Sequence, residues 1–166
     1  MSDLFCNLIT PINFSPSQTN KKMKQISLLM LVMVALIAAK CQDHQNPALP
    51  DLKVVTTLSG SNEVPARQTS ASGSVSGTLN QNTRVLSFAV NFSGLTPVAG
   101  HIHKGAAGTN GPVIIPFHSV ASSPIIHEVT LTEEQVADLK ANLHYVNLHT
   151  AAYPGGEIRG QLSIVP

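Results

Sequence analysis

From Val54 onward, apolar side chains recur with a period of two, in short runs separated by turn-forming residues. That alternation predicts half-buried strands. Val54–Leu58 is β-branched and apolar, and Ser72–Leu79 alternates small polar residues with Val75 and Leu79. Arg84–Phe92 is the clearest strand: after Val85 and Leu86, it places Phe88, Val90 and Phe92 on one face. The "NQNT" cluster between these two segments predicts a hairpin. His101–His103, Val113–Phe117, Ile125–Leu131, Tyr145–Thr150 and Glu157–Ile164 continue the series, the last two separated by the turn "YPGG". One helix is expected after Thr132. Gln135 completes a capping box, Glu133 and Glu134 suit the N-terminal dipole, and Val136, Leu139 and Leu143 form a narrow apolar stripe. Short strands with regular turns predict an all-β sandwich or barrel with one short helix.

Composition supports this class. Only 11% of residues are charged, and Trp is absent. The formal net charge is +1, so no overall field steers nucleic acid. The notable basic cluster, Lys21, Lys22 and Lys24, precedes an apolar run from Ile26 to Ala39 broken only by Ser27. Such a run is too short to span a bilayer, which takes about 20 apolar residues, and it suits the core of an export signal. Met23 lies at the natural start of that signal. Translation is expected to begin there, with 1–22 an upstream or disordered extension and 23–41 the signal peptide. Cys41 follows in "ALIAAKC", which resembles a bacterial lipobox. Lys40 occupies the place of the usual small residue. Lipidation of Cys41, simple secretion after Ala39 and a retained membrane anchor therefore stay open. Residues 42–53, with Pro47 and Pro50, read as a tether to a domain over 54–166. Both cysteines, Cys6 and Cys41, precede that domain, which therefore has neither disulfide nor thiolate chemistry.

Three motifs carry a resemblance. They are "LSGSNEVPAR" at Leu58–Arg67, "GHIHKGAAGTNGPVIIPF" at Gly100–Phe117 and "LTEEQVADLKANLHYVNLHTAAYPGGEIRGQL" at Leu131–Leu162. In this order they resemble the CHRD (chordin-type) domain family, departing from its pattern at Arg67-Gln68. The resemblance implies an immunoglobulin-like, Greek-key antiparallel β-sandwich in an extracytoplasmic protein. It implies little about chemistry, and the growth-factor partners of animal chordins are not carried over to a single domain.

Strand parity supplies a separate clue. In "HIH", Ile102 faces one way while His101 and His103 face the other. In "YVNLHT", Val146 and Leu148 form the apolar face, and Tyr145, Asn147 and His149 point opposite. In "GEIRGQL", Ile158 and Leu162 lie inward, while Glu157 and Arg159 share the outer face. If these segments are neighbours, His101, His103 and His149 form a three-nitrogen set for copper or zinc, with Glu157, Arg159, Asn147 and Tyr145 around it. The layout resembles copper/zinc superoxide dismutase, another Greek-key sandwich. The bridging histidine and zinc loop of that enzyme have no counterpart, so dismutase activity is not expected. The alternative reading is structural: the histidines brace the loop Lys104–Gly111, and Glu157 and Arg159 pair with each other or brace the "YPGG" turn. Of the other histidines, His44 falls in the tether, His118 and His127 lack a matched partner, and His144 lies on the opposite parity from His149. Glu63 reads as a loop carboxylate bonding backbone amides.

No catalytic residue is legible. There is no Gly-x-Ser-x-Gly elbow, His-Glu-x-x-His helix or phosphate-binding glycine loop. The expected function is a non-enzymatic binding or structural module of the cell envelope with an undefined envelope or extracellular ligand. It would lie in the periplasm, on the outer membrane or cell surface as a lipoprotein, or be secreted. The membrane would be met only through a lipid anchor or the signal segment. The rival reading is a copper- or zinc-binding protein serving metal handling or redox protection.

Overall fold

The computed structural model describes residues 48–165, so the expected export signal and half of the expected tether, 42–47, fall outside the described residues. Nine strands and one helix follow in chain order. They are β1 (Leu52–Ser59), β2 (Ser72–Leu79), β3 (Val85–Ser93), β4 (Ala99–Lys104), β5 (Val113–Pro116), β6 (Ile125–Thr130), α1 (Glu133–Lys140), β7 (His144–His149), β8 (Ile158–Gln161) and β9 (Ser163–Val165). Every strand expected from the alternation is present, with ends shifted by one or two residues. The one division is within Glu157–Ile164, which becomes β8 and β9 on either side of Leu162.

That division follows from the sheet topology. The strand order is β5-β4-β7-β8-β1-β2-β3-β6, with β9 also on β1. β8 pairs fully with β7 but meets β1 at one registered pair, Ser59↔Arg159. Past Leu162 the chain pairs instead with the other end of β1, through Val54↔Ile164. β8 and β9 thus carry the chain from one half of the curled sheet to the other. The close approach needs Gly160, where a Cβ would collide with the Thr57 carbonyl oxygen. The neighbours β4-β7, β3-β6 and β8-β1 are not consecutive, so the chain crosses between halves in Greek-key fashion.

The curl lays β5-β4-β7-β8 over β1-β2-β3-β6 as an all-β sandwich. Leu58, Leu79, Leu86 and Val90 from one half meet Ile102, Val146, Leu148 and Ile158 from the other in one apolar cluster. Phe88 of β3 contacts Phe117, just past β5, with ring centroids 5.6 Å apart. Burying each such side chain contributes about 1.5–3 kcal/mol. The helix begins as its capping box requires: the Gln135 amide donates to Thr132 Oγ1 at 3.1 Å, and the Thr132 amide donates to Gln135 Oε1 at 2.9 Å. Leu139 anchors it in the core. Lys104 at the end of β4 clips it with ion pairs to Glu134 (2.9 Å) and Asp138 (2.6 Å).

β7 is buried along its whole length. Antiparallel strands usually keep one face in water. Here the apolar face of β7 packs into the core while its polar face lies beneath two loops. Asn110 ties these loops together by donating from Nδ2 to the Val64 carbonyl at 3.0 Å. At the core end of β7, His144 is fully buried with no partner on either ring nitrogen.

Burial holds the His144 imidazole below its ordinary 6.5, although Asp138 pulls the other way. The folded state therefore resists protonation at this group. The stability tied to its neutral form is present above about pH 6.5 and is lost as pH falls below it. His144→Leu keeps the volume and removes the unpartnered nitrogens, so it should raise unfolding free energy by about 1–3 kcal/mol at neutral pH. It should also flatten the acid side of the stability profile. Denaturant unfolding at about pH 7 and pH 5 measures both effects; a leucine variant no more stable than wild type would contradict the assignment.

Candidate metal centre

β4 and β7 are antiparallel neighbours, with His101 opposite Asn147 and His103 opposite Tyr145. β8 lies on the far side of β7, with Arg159 opposite Asn147. All these side chains share the polar face, because residues directly opposite on paired strands point to the same side. The structure therefore brings His101, His103 and His149 together. One ring nitrogen from each lies within 4.8 Å of the others. His101 Nδ1 stands 3.1 Å from His149 Nε2. Two nitrogens bound tetrahedrally to one ion, each about 2.05 Å from it, stand roughly 3.3 Å apart. The His101–His149 pair already has that spacing.

Two backbone carbonyls orient the rings. His103 Nδ1 lies 2.9 Å from the Gly111 carbonyl, and His149 Nδ1 lies 3.0 Å from the Pro154 carbonyl. A carbonyl oxygen only accepts, so each Nδ1 is a donor and Nε2 is the nitrogen left to face the site. His103 Nε2 is buried and has no hydrogen-bond partner. A carbonyl-held imidazole with a free Nε2, as in His103, is the arrangement in which histidines ligate metals, and His149 Nε2 faces another histidine of the set. Burial lowers the pKa of His101, as do the neighbouring His149 and His103. Burial likewise lowers that of His103, against the pull of the Gly111 carbonyl and with help from His149 and Arg159. Both rings are thereby biased toward the neutral form that metals require.

Tyr145 stacks on His103 with planes 7° apart and centroids 4.8 Å apart. The Arg159 guanidinium lies 3.7 Å from the centroid of the same Tyr145 ring. The Gly111 amide donates to the Tyr145 hydroxyl at 3.0 Å, so Gly111 serves both members of the stack. Arg159 donates to the Thr109 carbonyl (2.8 Å) and to Asn110 Oδ1 (3.1 Å), pinning the loop over the site. Glu157 does not pair with Arg159. Its oxygens accept from the hydroxyls of Thr69 and Thr150, each at 2.7 Å, and Thr150 in turn accepts from the Tyr153 amide in the "YPGG" turn. Asn147 is buried with Oδ1 unpartnered.

The remaining histidines lie elsewhere. His144 faces the core, and His44 is outside the described residues. His118 and His127 do find each other, with rings 5.0 Å apart, contrary to the expectation that neither has a partner. His127 lies on the inner face of β6, and the β5–β6 connection returns His118 to it. Such a loop path has no periodic signature. Glu63 has the backbone contact expected of it, with Val64, but is more enclosed than a loop carboxylate. It is 5% exposed with Oε1 unpartnered, and burial pushes its carboxyl up to about 7 against the opposing pull of Arg159 and Arg67. The residues whose carbonyls accept from these rings, Gly111 and Pro154, carry no sequence signal, since any residue can supply a backbone carbonyl.

A family model described as CHRD domain matches residues 54–162. No curated protein and no solved structure matches the chain.

A Cβ on Gly111 would collide with the Lys104 carbonyl oxygen, so the loop must move in Gly111→Ala. That variant should lose about 2 kcal/mol of stability. It should also release the His103 ring, so that the slowly exchanging His103 Nδ1–H resonance disappears from the proton–nitrogen NMR spectrum. An unchanged resonance would show that Gly111 does not hold the ring.

Proposed function

The chain belongs to the CHRD domain family, and we propose that its domain is a non-enzymatic metal-binding module of the cell envelope, holding one copper or zinc ion on His101, His103 and His149. The observation that carries this reading is the convergence of three ring nitrogens, two of them on imidazoles oriented by carbonyls. His103 uses one ring nitrogen on its surroundings and leaves the other, buried, facing its fellow histidines. An all-imidazole set suits copper and zinc and disfavours calcium or magnesium, which take oxygen ligands. Tyr145, Asn147, Glu157 and Arg159 act as supports: they hold loops and rings and donate no ligand atom.

Calorimetric titration with Cu(II) and Zn(II) tests the centre. Wild type should bind one equivalent with sub-micromolar affinity. A His101→Ala/His103→Ala double variant that still folds should lose at least about two orders of magnitude, roughly 3 kcal/mol. Absent binding, or binding indifferent to the substitutions, leaves the histidines with the structural role.

The envelope assignment is supported by Lys21, Lys22 and Lys24 before the apolar run and by Cys41 after it. In a bacterial host, the mature protein should fractionate with membranes, and Cys41→Ser should move it to the soluble periplasmic or secreted fraction. Retention of both forms in the cytosol would refute export.

A further inference from the structure

The site's charge inventory has a chemical consequence. The three-histidine group contains no carboxylate. Glu157, the acidic residue closest to His149 in sequence, has both oxygens engaged by threonine hydroxyls. Glu63 is pushed up to about 7 by burial, and it faces the cations Arg159 and Arg67. Arg159 is 2% exposed and forms no ion pair within 4.0 Å among the described residues, so no carboxylate contacts its guanidinium directly. Its guanidinium lies 3.7 Å from the centroid of the Tyr145 ring that stacks on His103. Two of the three histidines are buried, and the third, His101, is half-buried.

A divalent ion on three neutral imidazoles keeps its full charge of two. In a half-buried site that charge is poorly screened, and the neighbouring guanidinium adds to the local positive potential. Three protein ligands also leave a fourth tetrahedral position open. His101, the least buried member, marks the side from which that position is reached. Charge and coordination number therefore ask for the same missing partner, which is an anion.

We propose that the occupied centre takes one small monodentate anion from solution as its fourth ligand, which makes the module a metal-dependent anion-binding site with Arg159 as its electrostatic positioning residue. This rests on the metal reading above. The ligand class is a compact anion with one donor atom, such as hydroxide, a halide or a pseudohalide. Neutral nitrogen donors satisfy the coordination number without the charge and are the inferior ligands.

The probe is azide, titrated into purified protein loaded with one equivalent of Cu(II), at ionic strength held constant with a non-coordinating salt. The readouts are the azide-to-copper charge-transfer band and the electron paramagnetic resonance spectrum. Saturable one-to-one binding is expected, tighter than that of imidazole titrated in parallel. Arg159→Gln should weaken azide about tenfold and leave imidazole within about twofold, as expected for one unit charge at moderate range. Arg159→Lys should retain most of the azide affinity; should either variant fail to fold, the wild-type preference for azide over imidazole still decides. Copper-loaded protein whose spectra ignore azide, or that prefers imidazole, overturns the inference while leaving the metal reading standing. A chain that takes up no copper overturns both.

Discussion

β7 is buried on both faces, and the rest of the domain is arranged to make that tolerable. Its inner side chains, Val146 and Leu148, are ordinary core residues. Its outer ones are Tyr145, Asn147 and His149, and burying them costs free energy unless their polar atoms find partners. The partners come from three connections, β1–β2, β4–β5 and β7–β8. Gly111, Thr109 and Asn110 bond the stack of His103, Tyr145 and Arg159. Pro154, Thr69 and Thr150 bond His149 and Glu157. The loops are held by the strand's polar face as much as the strand is covered by the loops.

Not every group is satisfied, and the exceptions are grouped. His103 Nε2 lacks a partner in the midst of the three-histidine set, and Glu63 Oε1 and Asn147 Oδ1 lack partners nearby. Unpartnered buried atoms typically cost about 1–3 kcal/mol each. A domain that carries several on one face, while its opposite face is closed by Leu58, Ile102, Val146 and Leu148, is destabilised locally at the three-histidine face. His144 is a separate case. It sits on the core side, away from the cluster, and no role in the site accounts for it.

The face buries one guanidinium, Arg159, and two carboxyl groups, Glu63 and Glu157, beside the histidines. Arg159 is buried against an aromatic ring instead of a carboxylate, and Glu157 is occupied by hydroxyls. Burial raises Glu63 toward neutrality and keeps His101 and His103 from protonating. Desolvation is the leading cause in all three cases, and it acts against the charged form whatever its sign. The site is thus tuned more by exclusion of water than by paired charges.

Much of this was legible in the chain itself. Period-two alternation located every strand, because a strand between core and exterior must alternate. Thr132 and Gln135 marked the helix start, because capping is a local hydrogen-bond exchange. Parity alone put His101, His103 and His149 on one side of their strands. What parity cannot supply is adjacency, which depends on β4 and β7 pairing across more than forty residues of sequence. The break at Leu162, the meeting of His118 with His127, the burial of Glu63 and the engagement of Glu157 by threonines instead of Arg159 were likewise decided by tertiary structure. Each depends on where a loop returns or a sheet curls. The carbonyls of Gly111 and Pro154, which set the tautomers, are the extreme case: a backbone oxygen looks the same in every residue, and only the fold determines which imidazole it meets.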